Sequence, residues 1–101
     1  MQCATVVYSN KPGAKFDFDY YLTKHVPMVA GFFGTDIEVQ KGILSPMGSS
    51  LAFVCIARIW INSIEHFQAT MTQYGAQILS DVANYTNIEP VLQIDEVVRS
   101  R

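Results

Sequence analysis

Charge is scarce in this 101-residue chain: only 16% of its residues are Asp, Glu, Lys or Arg, and the net charge is −2. No run of Lys or Arg occurs. The phosphate-neutralising footprint of a nucleic-acid binder is therefore missing, and no nucleic-acid partner is expected. Long hydrophobic runs are missing too. The longest purely apolar one, Leu51 to Ala57, is closed by Arg58 and falls far short of the roughly 20 residues of a membrane span. The first residues, Met1-Gln2-Cys3-Ala4-Thr5, lack the basic start of a secretion signal. Cysteine is limited to Cys3 and Cys55, without CxxC spacing. In strand-like stretches such a pair reads as reduced, buried thiols, which points to a cytoplasmic protein. No GxGxxG, P-loop or GxSxG pattern is present, so nucleotide cofactors and serine-hydrolase chemistry lose support. The two histidines, His25 and His66, have no Cys or carboxylate at ligand spacing and make no metal site. The expected cofactor is none.

What is present is apolar surface. Half of the residues are hydrophobic and mean hydropathy is +0.17. The length allows one domain, residues 1–101, with a thin core. A monomer of this size has trouble hiding so much apolar surface, and self-association is the simplest resolution.

The elements read in the order β-α-β-β-α-β. Cys3 to Ser9 is a strand, ended by the turn-forming Asn10-Lys11-Pro12-Gly13. Phe18, Leu22, His25, Val29 and Phe32 then recur on one helix face. Asp17 is the expected N-cap and Gly34 the stop. Pro27 interrupts this helix, since it lacks an N–H for the Thr23 carbonyl. Either the helix kinks there, or it ends near His25 and Pro27 opens a second short helix. Asp36 to Leu44 alternates around Ile37, Val39 and Ile43, and Ser45 to Ser50 is a hairpin loop. Leu51 to Trp60 is the clearest strand. Leu51, Phe53, Cys55, Ala57 and Ile59 lie on one face; Ala52, Val54, Ile56, Arg58 and Trp60 lie on the other. Both faces are largely apolar, so helices are expected over one and a partner sheet over the other.

Asn62 with Glu65 forms a capping-box pattern, and Ile64, Phe67, Met71, Tyr74 and Ile78 make a second apolar helix stripe. Asp81 to Asn87 reads as polar loop and Ile88 to Val98 as the last strand, which Pro90 confines to a sheet edge. The fold class is thus α+β, a ferredoxin-like four-stranded antiparallel sheet in the order 4-1-3-2, forming a homodimer through the sheet face.

His25 is the candidate site. On an apolar, aromatic wall with Tyr21 one turn back, burial would lower its pKa below the usual value of about 6.5 and leave a neutral imidazole able to accept a proton. The same wall suits a small-molecule pocket. The competing reading is a core histidine bonded to a backbone carbonyl, such as that of Thr23. His66, opposite the second stripe, is read as solvent-facing. Tyr85 and Trp60 could line a pocket or simply pack.

Two stretches resemble a known family. Phe16-Asp17-Phe18-Asp19-Tyr20-Tyr21-Leu22-Thr23-Lys24-His25-Val26-Pro27 is similar to the F-D-x-x-Y-Y-x-x-x-H-x-P run of EthD-type proteins, named for ethyl tert-butyl ether breakdown. Asn84-Tyr85-Thr86-Asn87-Ile88-Glu89-Pro90-Val91-Leu92-Gln93-Ile94 is similar to their N-[FY]-T-N-x-x-P-x-x-Q signature. Ala83 departs from the pattern, where many relatives place a proline.

The resemblance implies a dimeric α+β barrel with a pocket between helices and sheet, in a setting of organic-compound catabolism. It carries over His25, Tyr21, Pro27, Tyr85 and Asn87. The leading expectation is a small cofactor-independent enzyme, oxidoreductase, isomerase or decarboxylase-like. His25 would be its acid/base, and Tyr21, Tyr85, Phe18, Phe32 and Trp60 would bind a small hydrophobic ligand. The alternative is an accessory protein that binds such a metabolite without turning it over.

Overall fold

The structure, a computed structural model, describes residues 1–101. Four strands form one antiparallel sheet: β1 (Gln2–Ser9), β2 (Ile37–Lys41), β3 (Phe53–Ile61) and β4 (Val91–Glu96), in the spatial order β2-β3-β1-β4. This is the ferredoxin-like α+β arrangement expected from the element order. Alternation along β1 turns Ala4, Val6 and Tyr8 toward the helices, where they meet Cys55, Ala57 and Ile59 of β3 in the core.

β4 is an edge strand and is shorter than the expected Ile88–Val98. Pro90 has no N–H for a ladder, so pairing begins only at Val91, opposite Val7. β2 likewise stops at Lys41, leaving Ile43 exposed. Just beyond it Gly42 passes so close to the Phe53 carbonyl that a Cβ there would collide with backbone. Gly42→Ala is therefore expected to cost about 1–3 kcal/mol in urea unfolding, the usual range for forced overpacking.

The first helix runs over residues 18–33 and is not uniform. Asp17 caps it, accepting from the Tyr20 N–H at 3.0 Å, and Gly34 ends it with a φ of 68°. Between the α-helical turns Phe18–Tyr20 and Val26–Phe33 lies a π-helical turn, Tyr21–His25, in which the Val26 N–H reaches back to the Tyr21 carbonyl. Pro27 then falls in the first turn of the renewed α-helix, where its missing N–H is tolerated. The wide turn does not end the helix, but it shifts the inward face. Tyr21, His25, Val29 and Phe33 are buried, whereas Leu22, expected on the stripe, is exposed. Turns of this kind are frequent at functional sites.

The second helix spans Ile64–Ser80 and packs Phe67, Met71 and Ile78 against the same core. Its N-cap is Ser63, which accepts from the His66 N–H at 3.0 Å; Asn62 precedes the cap. The expected capping box therefore does not form, because two cap-forming residues stand in tandem and the helix starts at the second. The His66 side chain is exposed. Residues Val82–Asn84 form one 3₁₀ turn before β4. No helix is long and apolar enough to cross a membrane.

Candidate functional site

A cavity of about 50 Å³, measured as space for the centres of water-sized molecules, lies between the two helices and the sheet. A single water needs roughly 10–15 Å³ by that measure, so there is room for a few waters or one compact ring. Its walls are apolar apart from the Tyr8, Tyr21, Tyr85 and His25 side chains. Leu79, Val82, Pro90 and Leu92 close the side toward the 3₁₀ turn and β4.

His25 is 5% exposed. Its partner is not the Thr23 carbonyl: Nδ1 lies 2.9 Å from Oδ2 of Asp81. Asp81 is the C-cap of the second helix. Its other oxygen, Oδ1, accepts from the Tyr20 hydroxyl at 2.7 Å and from Asn84 Nδ2 at 2.9 Å. Burial works against the Asp81 carboxylate, but the donors from Asn84, Tyr20 and His25 outweigh it and hold its pKa below the usual range. An ionised carboxylate accepts only, so Nδ1 carries the imidazole proton and Nε2 has the free lone pair. Burial lowers the His25 pKa against the opposing pull of Asp81, as its place on the helix face suggested.

On the other side of the ring, Nε2 lies 3.3 Å from the Tyr85 hydroxyl, which lies 2.7 Å from the Tyr8 hydroxyl. A carboxylate, an imidazole and two phenols are thus joined in one chain of hydrogen bonds from the helix C-terminus to the sheet. Burial above all raises the pKa of both Tyr8 and Tyr85 well above the ordinary phenol range. Both are neutral donors at any working pH. Tyr21 stacks on His25, ring centroids 5.5 Å apart and planes at 17°. The Cys55 thiol beneath is pushed up to about 12 by burial and stays protonated.

Of the residues expected in the site, His25, Tyr21 and Tyr85 come together. Phe18, Phe32 and Trp60 do not line the cavity. Phe18 packs on Phe16 beneath the Lys41 ammonium. Phe32 stacks on Tyr74 at 4.1 Å. Trp60 pairs with Cys3 on the face of the sheet away from the helices, since alternation along β3 sends Ile59 inward. Asn87 has a scaffolding position: Nδ2 donates to the Gly13 carbonyl and Oδ1 accepts from the Lys15 N–H. Thr86 adds a bond to the Lys15 carbonyl, and the Asp17 N–H donates to the Tyr85 carbonyl. The two sequence motifs are therefore zipped together, and their joint effect is to seat Tyr85 against His25.

Asp81 and Tyr8 were missed by sequence reading. Asp81 did leave a trace. An acid at the last position of a helix opposes the helix dipole, an unfavourable placement unless something pairs with it. Tyr8 left less: a tyrosine on the core face of a strand needs a hydroxyl partner, but nothing local names it.

Comparison with known proteins agrees with this picture. The EthD domain pattern matches residues 13–89, a stretch that takes in His25, Asp81 and Tyr85 and leaves Tyr8 outside. An EthD-like protein from Ralstonia eutropha JMP134 is 43% identical, with a TM-score of 0.89 over 99% of this chain and 94% of that one. An ethyl tert-butyl ether degradation family protein from Bacillus halodurans C-125 shares the fold at 22% identity and a TM-score of 0.68, over 97% of this chain and 99% of that one. HapK from Hahella chejuensis shares it at 13% identity and a TM-score of 0.56, over 97% and 96%. Among curated proteins nothing matches. With the first sequence motif and the start of the second inside the matched domain, and near-complete overlap with a 43% identical relative, the chain belongs to the EthD family.

Proposed function

We propose that this protein is a small cofactor-independent enzyme of organic-compound catabolism, in which His25 takes a proton from a compact hydrophobic substrate held in the cavity. The observation that carries this reading is the Asp81–His25 pair at the cavity wall: the carboxylate fixes the tautomer and leaves Nε2 as a base. Proton abstraction of this kind serves isomerases, decarboxylases and cofactor-free oxidations alike, and small hydroxyaromatics and lactones fit the apolar walls. Two buried, unpaired thiols suit a reducing interior such as the cytoplasm.

The test is deuterium exchange from solvent into carbon-bound positions of small lactones and hydroxyaromatics, followed by NMR. His25→Gln should lower the protein-catalysed rate by about 10²–10⁴-fold. Exchange that the substitution leaves untouched rules the mechanism out. A second reading, an accessory protein that binds the metabolite without turnover, draws on the fact that Tyr85 already occupies Nε2. It predicts saturable binding with no exchange.

Two copies pairing through the outer sheet face would complete the architecture. That face presents Val7, Ile56, Trp60 and Val91 beside Arg58, which donates to Gln40 at 2.6 Å and lies 3.4 Å from Glu38. Apolar centre and charges of both signs are self-complementary under a two-fold axis. Light scattering should give about twice the 11.3 kDa chain mass; a stable particle of one chain mass rejects the pairing.

A further inference from the structure

The hydrogen-bond valences around Tyr85 decide how a ligand can reach the base. Nε2 of His25 does not stand open to the cavity, because the Tyr85 hydroxyl sits in front of it at 3.3 Å. That hydroxyl is engaged twice, with His25 and with Tyr8. The Tyr8 hydroxyl lies 2.7 Å from that of Tyr85 and has the Tyr21 hydroxyl as a second partner, and Tyr8 lines the cavity while being 2% exposed. Since Nε2 is a lone pair, the donors must run in one direction: Tyr85 donates to His25, and Tyr8 donates to Tyr85. The far end of the chain that reaches His25 is then the Tyr8 oxygen, which has two lone pairs, one more than the Tyr21 hydroxyl can fill. The Tyr21 hydroxyl stands beside it.

Resting on the reading of His25 as the base, we propose that Tyr8 is the residue that meets the reacting group, and that Tyr8 and Tyr85 relay its proton to His25. The ligand class follows: a compact ring bearing a phenolic or enolic hydroxyl. In the transfer the ligand O–H bond breaks and its proton binds the Tyr8 oxygen. The Tyr8 proton passes to Tyr85, and the Tyr85 proton binds Nε2. The ligand keeps the electron pair as phenolate or enolate, and His25 becomes imidazolium against the Asp81 carboxylate. Both phenols end neutral, as they began, and no oxidant or reductant is needed. Neither tyrosine need ever exist as a free tyrosinate, provided that the three transfers are concerted; their burial makes that ion costly.

The relay is tested with two probes of matched shape, para-cyanophenol and para-tolunitrile, which differ in having a hydroxyl or a methyl group. Calorimetry should show the phenol binding roughly tenfold or more tightly, the worth of a buried hydrogen bond. Tyr8→Phe should erase that preference while leaving para-tolunitrile affinity unchanged, which also shows that the variant is folded. In nitrogen-15 spectra the His25 Nε2 resonance should move on phenol binding in the unsubstituted protein, and stay still in Tyr85→Phe with the phenol bound. A hydroxyl preference that survives Tyr8→Phe overturns the relay. So does a His25 response that survives Tyr85→Phe, since the ligand would then touch the imidazole directly and only the broader acid/base reading would stand. Failure of both probes to bind sinks the cavity reading and the relay together.

Discussion

Asp81→Asn should remove His25-dependent proton transfer almost as completely as loss of the histidine, by about 10²–10⁴-fold. The reason is the distribution of donors around the carboxylate. Oδ1 receives two hydrogen bonds, from Tyr20 and Asn84, whereas Oδ2 receives only that of His25. An asparagine at this position keeps its carbonyl where two donors converge, which turns its amide N–H toward His25. Nδ1 must then accept, Nε2 carries the proton, and the base facing Tyr85 is gone. Asp81 is in this sense a positioning residue. Nitrogen-15 spectra distinguish the exchange of tautomers from simple loss of structure, because the ring would stay buried with its two nitrogens exchanging roles. An unchanged tautomer with unchanged rate would refute the assignment.

The same pair sets the pH dependence. His25 has a pKa below its ordinary 6.5 because burial penalises the imidazolium more than Asp81 rewards it. The groups that face it are Asp81 from the second helix, Tyr21 from its own helix and Tyr85 from the segment before β4. A base must be unprotonated, so the rate should rise with pH through the lowered His25 value and be level above about 6.5. Stability follows the same sign. Below about 6.5 the unfolded chain takes up a proton that the folded chain refuses, so stability falls as pH drops from 6.5 to the folded value. Asp81, whose pKa is held down in the fold, adds a further loss only below the ordinary carboxylate range.

How much of this was legible in the sequence depends on the range of the interactions. The edge position of β4, the Asp17 cap and the Gly34 stop follow from local chemistry, whereas strand order, built from distant pairings, was legible only through the usual arrangement of this element order. Leu22 defeated the reading because a periodicity of 3.6 assumes an unbroken α-helix, while Pro27 selects a π turn that rotates the face by one residue. The site divides in the same way. His25 and Tyr21 belong to one helix and could be seen together. The Asp81 and Tyr8 contacts with the rest of the chain span separations of 56 and 77 residues, and only the closed sheet brings them in. Trp60 was misplaced for a simpler reason: strand alternation names two faces without saying which one the helices cover.

Tyr85→Ala is expected to be the most damaging single change to stability, costing about 3–5 kcal/mol out of the roughly 5–15 kcal/mol of a domain this size. The ring of Tyr85 meets those of Tyr8, Phe16, Tyr20, Tyr21 and His25, at centroid distances of 6.1, 5.4, 6.3, 4.9 and 4.6 Å. Removing it leaves a void at the junction of β1, the first helix and the 3₁₀ turn. Tyr85→Phe keeps every one of those ring contacts. It deletes only the hydroxyl, leaving Tyr8 and Nε2 without their shared partner, and should cost about 1–3 kcal/mol. Urea unfolding of the two variants therefore separates what the ring does for the fold from what the oxygen does for the proton path. If alanine costs no more than phenylalanine, the aromatic cluster is not what holds the site in place. The scaffolding would then rest on the backbone zipper of Phe16, Asp17 and Thr86 alone.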